Sequence, residues 1–225
     1  MREMPKAVLF DLDGTIADTA PDLAYALNQT LLHYRHPPLP FERIRPVVSH
    51  GGIGLIRLGF GIAPETDGFD EKRQHLLDVY AANLCRDTDL FPGVSQVLAA
   101  LESRRIAWGI VTNKPAWLTN PLIAALRLSR RAGCVISGDS YSNRKPHPEP
   151  ILRACSLLDC QPQQTWYVGD AGRDMQAGRA AGCLTIGALY GYLHPEDPPA
   201  SWQTDHMVDR PEQLLDLLTD GPGSA

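Results

Sequence analysis

Several features that define other classes of protein are missing from this sequence. Its 225 residues contain no apolar run that approaches the length of a membrane span. The first ten residues, MREMPKAVLF, lack the long apolar stretch of a signal peptide, so we expect no export signal. A formal net charge of -5 disfavours a general surface for nucleic acid or anionic lipid, and we expect no nucleic acid and no membrane as partners.

Cysteines are few and scattered. There are five, an odd number, and no two of them form a C-x-x-C pair. We therefore expect reduced thiols that mostly fill the core, a cytoplasmic location and no zinc site.

What the sequence does contain is an alternation of short apolar runs with helical patterns. The runs are nearly continuous rather than alternating, which is typical of parallel strands covered on both faces. They lie at 6–13, 106–113, 134–139, 165–170 and 184–189. Helical periodicity appears between them at 95–105, 121–128, 149–158 and 173–182. This order predicts an α/β fold, a Rossmann-like doubly wound parallel sheet.

Residues 20–87 interrupt that alternation, because they contain helical patterns and no strand-like run. The simplest organisation is one strand, a helical insert and then the rest of the sheet. We expect residues 1–18 and 88–225 to form the α/β catalytic core and residues 19–87 to form a small α-helical cap domain.

Polar side chains follow the predicted strands. Asp11 and Asp13 end the first strand, Thr112 and Asn113 end the second, and Asp170 ends a later one. Ligands of an open α/β sheet bind outside the carboxyl ends of its strands. These side chains therefore predict a site at one edge of the sheet.

The excess of carboxylates at that edge predicts a metal ion. Asp11 and Asp13 repel each other unless a cation lies between them or one of them holds a proton. Asp170 and Asp174 add negative charge, and all the candidate ligands are oxygens, which favours Mg²⁺. The alternative for Asp11 and Asp13 is a solvated loop start or a helix cap.

The other residues at the edge predict a phosphate site. Gly14 allows a tight turn and close approach of the backbone to a ligand, and exposed N–H groups there could hold an anion. Thr112 and Asn113 offer a hydroxyl and an amide, and Lys145 offers a compact positive charge. Around a carboxylate, such groups favour attack of an aspartate on phosphorus, with an aspartyl-phosphate as the intermediate.

Four short motifs give the sequence a family resemblance. DLDGT at 11–15, VTN at 111–113, KPHPEP at 145–150 and GDAGRD at 169–174 occur in this order. With them the chain resembles the haloacid dehalogenase superfamily in its phosphatase branch. The helical insert is similar to the small cap domain of the subfamily that includes phosphoglycolate phosphatases.

The resemblance implies catalytic roles for three residues. Asp11 would be the nucleophile and a metal ligand. Asp13 would protonate the leaving oxygen and then activate water, and its main-chain carbonyl would contact the metal. Lys145 would neutralise charge between Asp11 and the phosphoryl group.

The resemblance also implies the residues that bind phosphate and metal. Leu12, Thr112 and Asn113 would bind the phosphoryl group together with Lys145. Asp170 would be a direct Mg²⁺ ligand, and Asp174 would hold the waters of the metal or Lys145.

Two further stretches have weaker signals. His50 and Arg57 lie in or near SHGGIG (49–54), whose glycines could form a loop over the substrate. Both residues are therefore candidates for recognising the leaving group and setting substrate specificity. A helix–helix turn with surface charges is the alternative. Asp18 and Thr19 precede Pro21, and we expect them to cap a helix.

The segment GYLHPEDPPASW (191–202) and the stretch VVSHGG (47–52) sharpen the resemblance. They are similar to a subgroup often labelled phosphoglycolate phosphatase, some of whose members act on N-acetylmuramic acid 6-phosphate. We expect a small phosphorylated metabolite as substrate, 2-phosphoglycolate or a sugar phosphate, and a monomer or homodimer. The alternatives are a phosphosugar mutase of the same superfamily and a binding or regulatory protein on an inactive scaffold.

Overall fold

A computed structural model describes residues 4–220 of the chain. Its strands are β1 (Ala7–Phe10), β2 (Ala17–Asp18), β3 (Asp89–Leu90), β4 (Ala107–Val111), β5 (Cys134–Ile136), β6 (Thr165–Gly169), β7 (Leu184–Ala188) and β8 (His206–Val208). Its α-helices are α1 (Ala20–His33), α2 (Phe41–Ile44), α3 (Gly51–Phe60), α4 (Phe69–Ala82), α5 (Val94–Ser103), α6 (Ala116–Ala125), α7 (Glu149–Leu157), α8 (Gly172–Ala181) and α9 (Gln213–Asp220). Short 3₁₀ helices lie at Arg45–His50, Pro162–Gln164 and Pro199–Ser201.

Six strands form one parallel sheet in the order β5-β4-β1-β6-β7-β8. The first strand of the chain is therefore central, and the chain continues to one side with β4 and to the other with β6. This arrangement makes the carboxyl end of β1 the point where the strand order reverses, which is where open α/β sheets bind ligands. The predicted fold class, a doubly wound parallel sheet with a separate small helical region, is confirmed.

The sequence of β1 explains why it lies in the middle. Its four residues, AVLF, are at most 2% exposed. Val8 and Phe10 belong to one hydrophobic cluster and Leu9 to the other, because successive side chains of a strand point to opposite faces. Only a strand covered on both faces tolerates such a run.

The helical region lies between the two strands of a small ribbon. β2 and β3 pair antiparallel, with Ala17 opposite Leu90 and Asp18 opposite Asp89, and α1 to α4 lie between them in the chain. The chain thus leaves the sheet region and returns to it at neighbouring positions. The division into a core of 1–18 and 88–225 and a cap of 19–87 stays a prediction that agrees with this layout.

The described helices and strands differ from the predicted ones in a few places. Helix α6 begins at Ala116, five residues before the predicted start, and Pro121 lies inside it. The edge strand β8 and the ribbon strands were not predicted. Gly182 ends α8 in the left-handed conformation, φ 86°, as its position predicts.

All five cysteines are free thiols, as predicted. Within residues 4–220, no helix combines the length and the apolar character that crossing a bilayer requires.

Candidate active site

Three neighbouring strands supply the candidate site. Asp11 follows β1, Thr112 follows β4 and Asp170 follows β6, and β1 lies between the other two. The amide of Asp11 still donates to the Val168 carbonyl at 2.9 Å, so the strand ladder fixes the backbone at Asp11. The carboxyl ends of the strands therefore gather the predicted residues at one edge.

Lys145 connects the carboxylates of this edge. Its Nζ lies 2.9 Å from Asp11 Oδ1 and 2.7 Å from Asp174 Oδ1, and it donates to the Tyr167 hydroxyl at 2.9 Å. The residue is only 2% exposed. A buried ammonium with three oxygen partners is fully satisfied, and its charge compensates in part for the carboxylates around it.

Asp11, Asp170 and Asp174 form a buried group of three carboxylates. One oxygen from each lies within 4.8 Å of the other two, and the residues are 3%, 1% and 0% exposed. Burial raises the pKa of Asp11, and burial together with the charges of Asp11 and Asp174 raises the pKa of Asp170 to about 7. Both shifts have the same cause, a surplus of negative charge in a place with little water.

This group fits a hard divalent cation. Asp174 Oδ2 is buried and has no hydrogen-bond partner among the described residues. An unsatisfied buried carboxylate oxygen is costly, and a cation would satisfy it while relieving the repulsion between the three acids. The three oxygens are ligands of the kind that Mg²⁺ prefers. Asp13 does not contribute a side-chain oxygen to the group; its contact through the main-chain carbonyl stays a prediction.

Glycine at position 14 is required by Asp170. Gly14 has φ 86°, and a Cβ there would overlap the Asp170 carboxylate. The Tyr192 amide and the Ser49 hydroxyl donate to Asp170 Oδ2 at 2.9 and 3.0 Å. The carboxylate is thus held by the loop after β7 and by the helical region as well as by its own strand.

Asp13 is held by two donors. Lys114 Nζ lies 2.8 Å from Asp13 Oδ1, and the Thr19 hydroxyl donates to the same oxygen at 2.6 Å. Burial acts to lower the pKa of Lys114, but the charge of Asp13 and the proximity of Tyr80 outweigh it and raise that pKa, so Lys114 stays a cation. Since both donors use Oδ1, they orient the carboxyl group of Asp13.

The predicted phosphate-binding residues lie at the same edge, with part of their polar capacity in use. Asn113 Nδ2 donates to the Lys145 carbonyl at 2.9 Å, and its Oδ1 accepts from the Lys145 amide at 3.1 Å. The Leu12 amide donates to Asp11 Oδ1 at 2.7 Å, and Thr112 Oγ1 accepts from the Lys114 amide at 3.1 Å. Asn113 therefore fixes the segment that carries Lys145, and its contact with phosphate stays a prediction.

A cavity of about 660 Å³ separates this edge from the helical region. Asp11, Asp13 and Lys145 line one side of it, and His50 and Arg57 line the side formed by the helices. The His50 ring lies 4.6 Å from the His194 ring, centroid to centroid. Burial and the neighbouring charges of His194 and Arg173 lower the pKa of His50.

Some residues of the site were missed by the sequence reasoning. Arg173 lines the cavity with its guanidinium 4.0 Å from Asp11 Oδ2. Lys114 had a signal, since it directly follows a motif. Ser49 and Tyr192 lie in two stretches that the sequence analysis singled out, but only the folded chain brings them to Asp170.

The expectation that Asp18 and Thr19 cap a helix was correct only for the position of Thr19, which is the N-cap residue of α1. Thr19 precedes α1 but makes no side-chain capping bond, because its hydroxyl is used by Asp13. Asp18 lies in β2, where Arg45 donates to both of its carboxylate oxygens at 2.8 Å and the Tyr192 hydroxyl donates to Oδ1 at 2.8 Å. Asp18 is thus a structural anchor between the helical region and the sheet.

The chain that forms this edge, with its buried aspartates and lysine beside a cavity, is similar to known proteins. Residues 8–188 match the sequence model of the haloacid dehalogenase-like hydrolases. The N-acetylmuramic acid 6-phosphate phosphatase of Pseudomonas aeruginosa is 38% identical over 95% of this chain and 94% of its own. A phosphoglycolate phosphatase of Xanthomonas campestris pv. campestris is 40% identical over 93% of this chain and 95% of its own.

Solved structures agree with these relatives. A protein from Haemophilus somnus, described as a predicted phosphoglycolate phosphatase, superposes with a TM-score of 0.85 at 28% identity, over 96% of this chain and 99% of the other. Fold, site and relatives together define a hydrolase of the phosphatase class. The chain belongs to the haloacid dehalogenase-like hydrolase family.

Proposed function

We propose that this protein is a Mg²⁺-dependent phosphomonoester hydrolase that forms an aspartyl-phosphate on Asp11. The observation that carries the proposal is the position of the Asp11 carboxylate. It faces the cavity, Lys145 Nζ lies 2.9 Å away, and Asp170 and Asp174 complete a group that fits a divalent cation. A carboxylate attacks a phosphate dianion only where cations neutralise the phosphate oxygens.

Asp11 performs the first step as a nucleophile. One of its oxygens forms a bond to phosphorus while the bond from phosphorus to the leaving oxygen breaks. Lys145 and the amide of Leu12 both contact Oδ1, which leaves Oδ2 as the oxygen available for attack. Bound Mg²⁺ would supply neutralisation of the transferring group, and Asp11, Asp170 and Asp174 would hold it.

Asp13 performs the proton transfers. Lys114 and Thr19 both use its Oδ1, so Oδ2 is placed to give a proton to the leaving oxygen. In the second step the same oxygen takes a proton from a water molecule, which attacks phosphorus and releases Asp11. The helices of residues 19–87 act as a cap that excludes other water from the cavity until the intermediate has formed.

The substrate we propose is a small phosphorylated metabolite. Relatives of similar identity are named for N-acetylmuramic acid 6-phosphate and for phosphoglycolate, so both compounds are candidates. A measurement of kcat/KM for the two compounds beside a panel of sugar phosphates ranks them.

The mechanism is tested with p-nitrophenyl phosphate. Asp11→Asn keeps the shape of the side chain but removes the nucleophile, so turnover should disappear, and a chelator should have the same effect on the unaltered protein. Asp205→Asn is the matched control, because Asp205 accepts hydrogen bonds from Thr185 at the amino end of β7, far from the site. Turnover that persists in Asp11→Asn or with chelator would overturn the mechanism. Release of one free phosphate per sugar phosphate consumed separates a phosphatase from a mutase.

A further inference from the structure

The cavity holds more positive charge than the proposed reaction uses. At the reaction centre each cation has an acidic partner: Lys145 lies against Asp11 and Asp174, and Lys114 lies against Asp13. These cations, with Arg173 4.0 Å from Asp11, account for the phosphate and its surroundings. Three more arginines line the same cavity, Arg57, Arg73 and Arg144.

These three guanidinium groups are unpaired. Across residues 4–220, none of the three makes a side-chain hydrogen bond or ion pair with another protein group. The one remaining acid of the cavity lining, Glu196, is not within 4.0 Å of any of them. The guanidinium group of arginine is well suited to bidentate pairs with carboxylates, so three such groups without partners in one cavity point to an anionic partner from outside the chain.

Arg73 gives the strongest indication. Its Nε is buried and has no hydrogen-bond partner among the described residues. A buried donor that belongs to a charged group and has lost its water destabilises the protein unless something accepts from it. Because Arg73 lines the cavity, a ligand that enters the cavity would bring an acceptor to this guanidinium group.

Arg73 packs against a neighbouring helix of the helical region while it lines the cavity. Arg73 lies on α4, and its Cγ and Nε come within 3.5 and 3.6 Å of the position that a Cβ of Gly52 would occupy. The arginine stem therefore packs directly against the start of α3. Arg57, on α3, lines the same cavity and is more exposed.

We infer that Arg73, with Arg57, forms a second anion site in the cavity, which binds a carboxylate on the part of the substrate that remains after the phosphate is removed. The inference rests on the proposed function and deepens it, since it names the class of substrate: phosphate esters that also carry a carboxylic acid. A cavity of about 660 Å³ has room for such a group beyond the phosphate. Sugar phosphates without a carboxylate would leave both guanidinium groups unpaired in the bound state and are selected against.

Matched pairs of substrates test the inference. N-Acetylmuramic acid 6-phosphate and N-acetylglucosamine 6-phosphate differ by the group that carries the carboxylate, and 2-phosphoglycolate and ethyl phosphate form a smaller pair. The unaltered protein should prefer the acid in at least one pair. In Arg73→Gln the ratio of the two kcat/KM values should fall by about tenfold to a hundredfold, the range expected for a lost charge-assisted hydrogen bond.

Three further variants complete the experiment. Arg57→Gln should lower the same ratio, and Arg73→Lys, which keeps a cation but not the planar fork, should give an intermediate ratio. Arg43→Gln is the control, because Arg43 is an exposed arginine of α2 outside the cavity, and its ratio should not change. If Arg73→Gln does not fold, Arg57→Gln and Arg73→Lys carry the test.

Two results would overturn the inference. One is no preference for the acid in either pair, and the other is an unchanged ratio in the Arg57 and Arg73 variants. Failure of the proposed function gives a different result, since the unaltered protein would then hydrolyse neither member of a pair nor p-nitrophenyl phosphate. Inhibition by N-acetylmuramic acid, tested against N-acetylglucosamine, reports the same site without any reaction.

Discussion

Asp197 should control how well the protein binds its metal, although it lies outside the carboxylate group. Its Oδ2 accepts from the Gly172 amide at 2.7 Å, and its Oδ1 accepts from the Trp202 indole at 2.7 Å. Gly172 begins α8, the helix that carries Asp174, and it follows Asp170 by two residues. Asp197 thus ties the segment between two candidate metal ligands to the loop after β7.

The magnitude follows from these two bonds. A hydrogen bond to a charged acceptor contributes about 1.5–3 kcal/mol. Because Gly172 and Trp202 are buried and two bonds lost at one residue do not add fully, Asp197→Ala should lower the free energy of unfolding by about 2–4 kcal/mol. For a chain of this size that corresponds to a fall in Tm of roughly 5–15 °C.

The decisive assay is the Mg²⁺ dependence of p-nitrophenyl phosphate hydrolysis at a temperature where the variant is folded. The Mg²⁺ concentration for half-maximal activity should rise by about tenfold to a hundredfold, as for loss of a residue that orients metal ligands. Asp205→Ala removes two comparable bonds to Thr185 at the other end of β7, so it should lower Tm and leave the Mg²⁺ dependence unchanged. A lower Tm in Asp197→Ala with an unchanged Mg²⁺ dependence would refute the reasoning.

Three further predictions follow from single residues. Lys145→Met leaves buried carboxylates without their cation, so activity should vanish and urea titration should show about 3–5 kcal/mol less stability; unchanged stability would contradict this. Gly14→Ala places a methyl group against Asp170 at a positive φ, so unfolding should be easier by about 1–3 kcal/mol and more Mg²⁺ should be needed; a variant equal to the unaltered protein in both assays would exclude the close contact. The lowered pKa of His50 favours its neutral form in the folded state, so its contribution is present above the unfolded pKa of about 6.5 and is lost as pH falls below it. Tm measured from pH 8 to pH 5 should therefore fall less steeply in His50→Gln, and parallel curves would rule out this contribution.

The sheet was predictable because its strands depend on local composition. The continuous apolar run at Ala7–Phe10 predicts a strand buried on both faces whatever its surroundings, and the later apolar runs predict strands for the same reason. The edge strand β8 was missed because an edge needs only partial burial, and His206–Val208 has no continuous apolar run. The start of α6 was misplaced because the helical pattern was followed only over 121–128, whereas the helix begins at Ala116 and continues through Pro121.

The residues of the candidate site could be predicted where they lie in a short sequence motif. Asp11, Asp170 and Lys145 each follow directly from a short motif, and the structure brings all three to the same edge. Asp18 was interpreted wrongly because its sequence neighbours suggest a cap, while its partners, Arg45 and Tyr192, are 27 and 174 residues away. No local pattern contains such partners.

The sequence by itself determined the strand that ends in DLDGT, the order of the motifs and the kinds of side chain that reach the strand ends. The tendency of an apolar run to be buried and the residue types of a motif are local properties, so they can be predicted from the sequence before the fold is known. Only the tertiary structure decided that Ser49 and Tyr192 hold Asp170, and that Arg73 reaches the cavity with a buried, unpaired Nε. These contacts depend on how the helical region packs over the sheet. Whether a charged group or a hydrogen-bond donor finds a partner is decided only when segments that are distant in sequence come together.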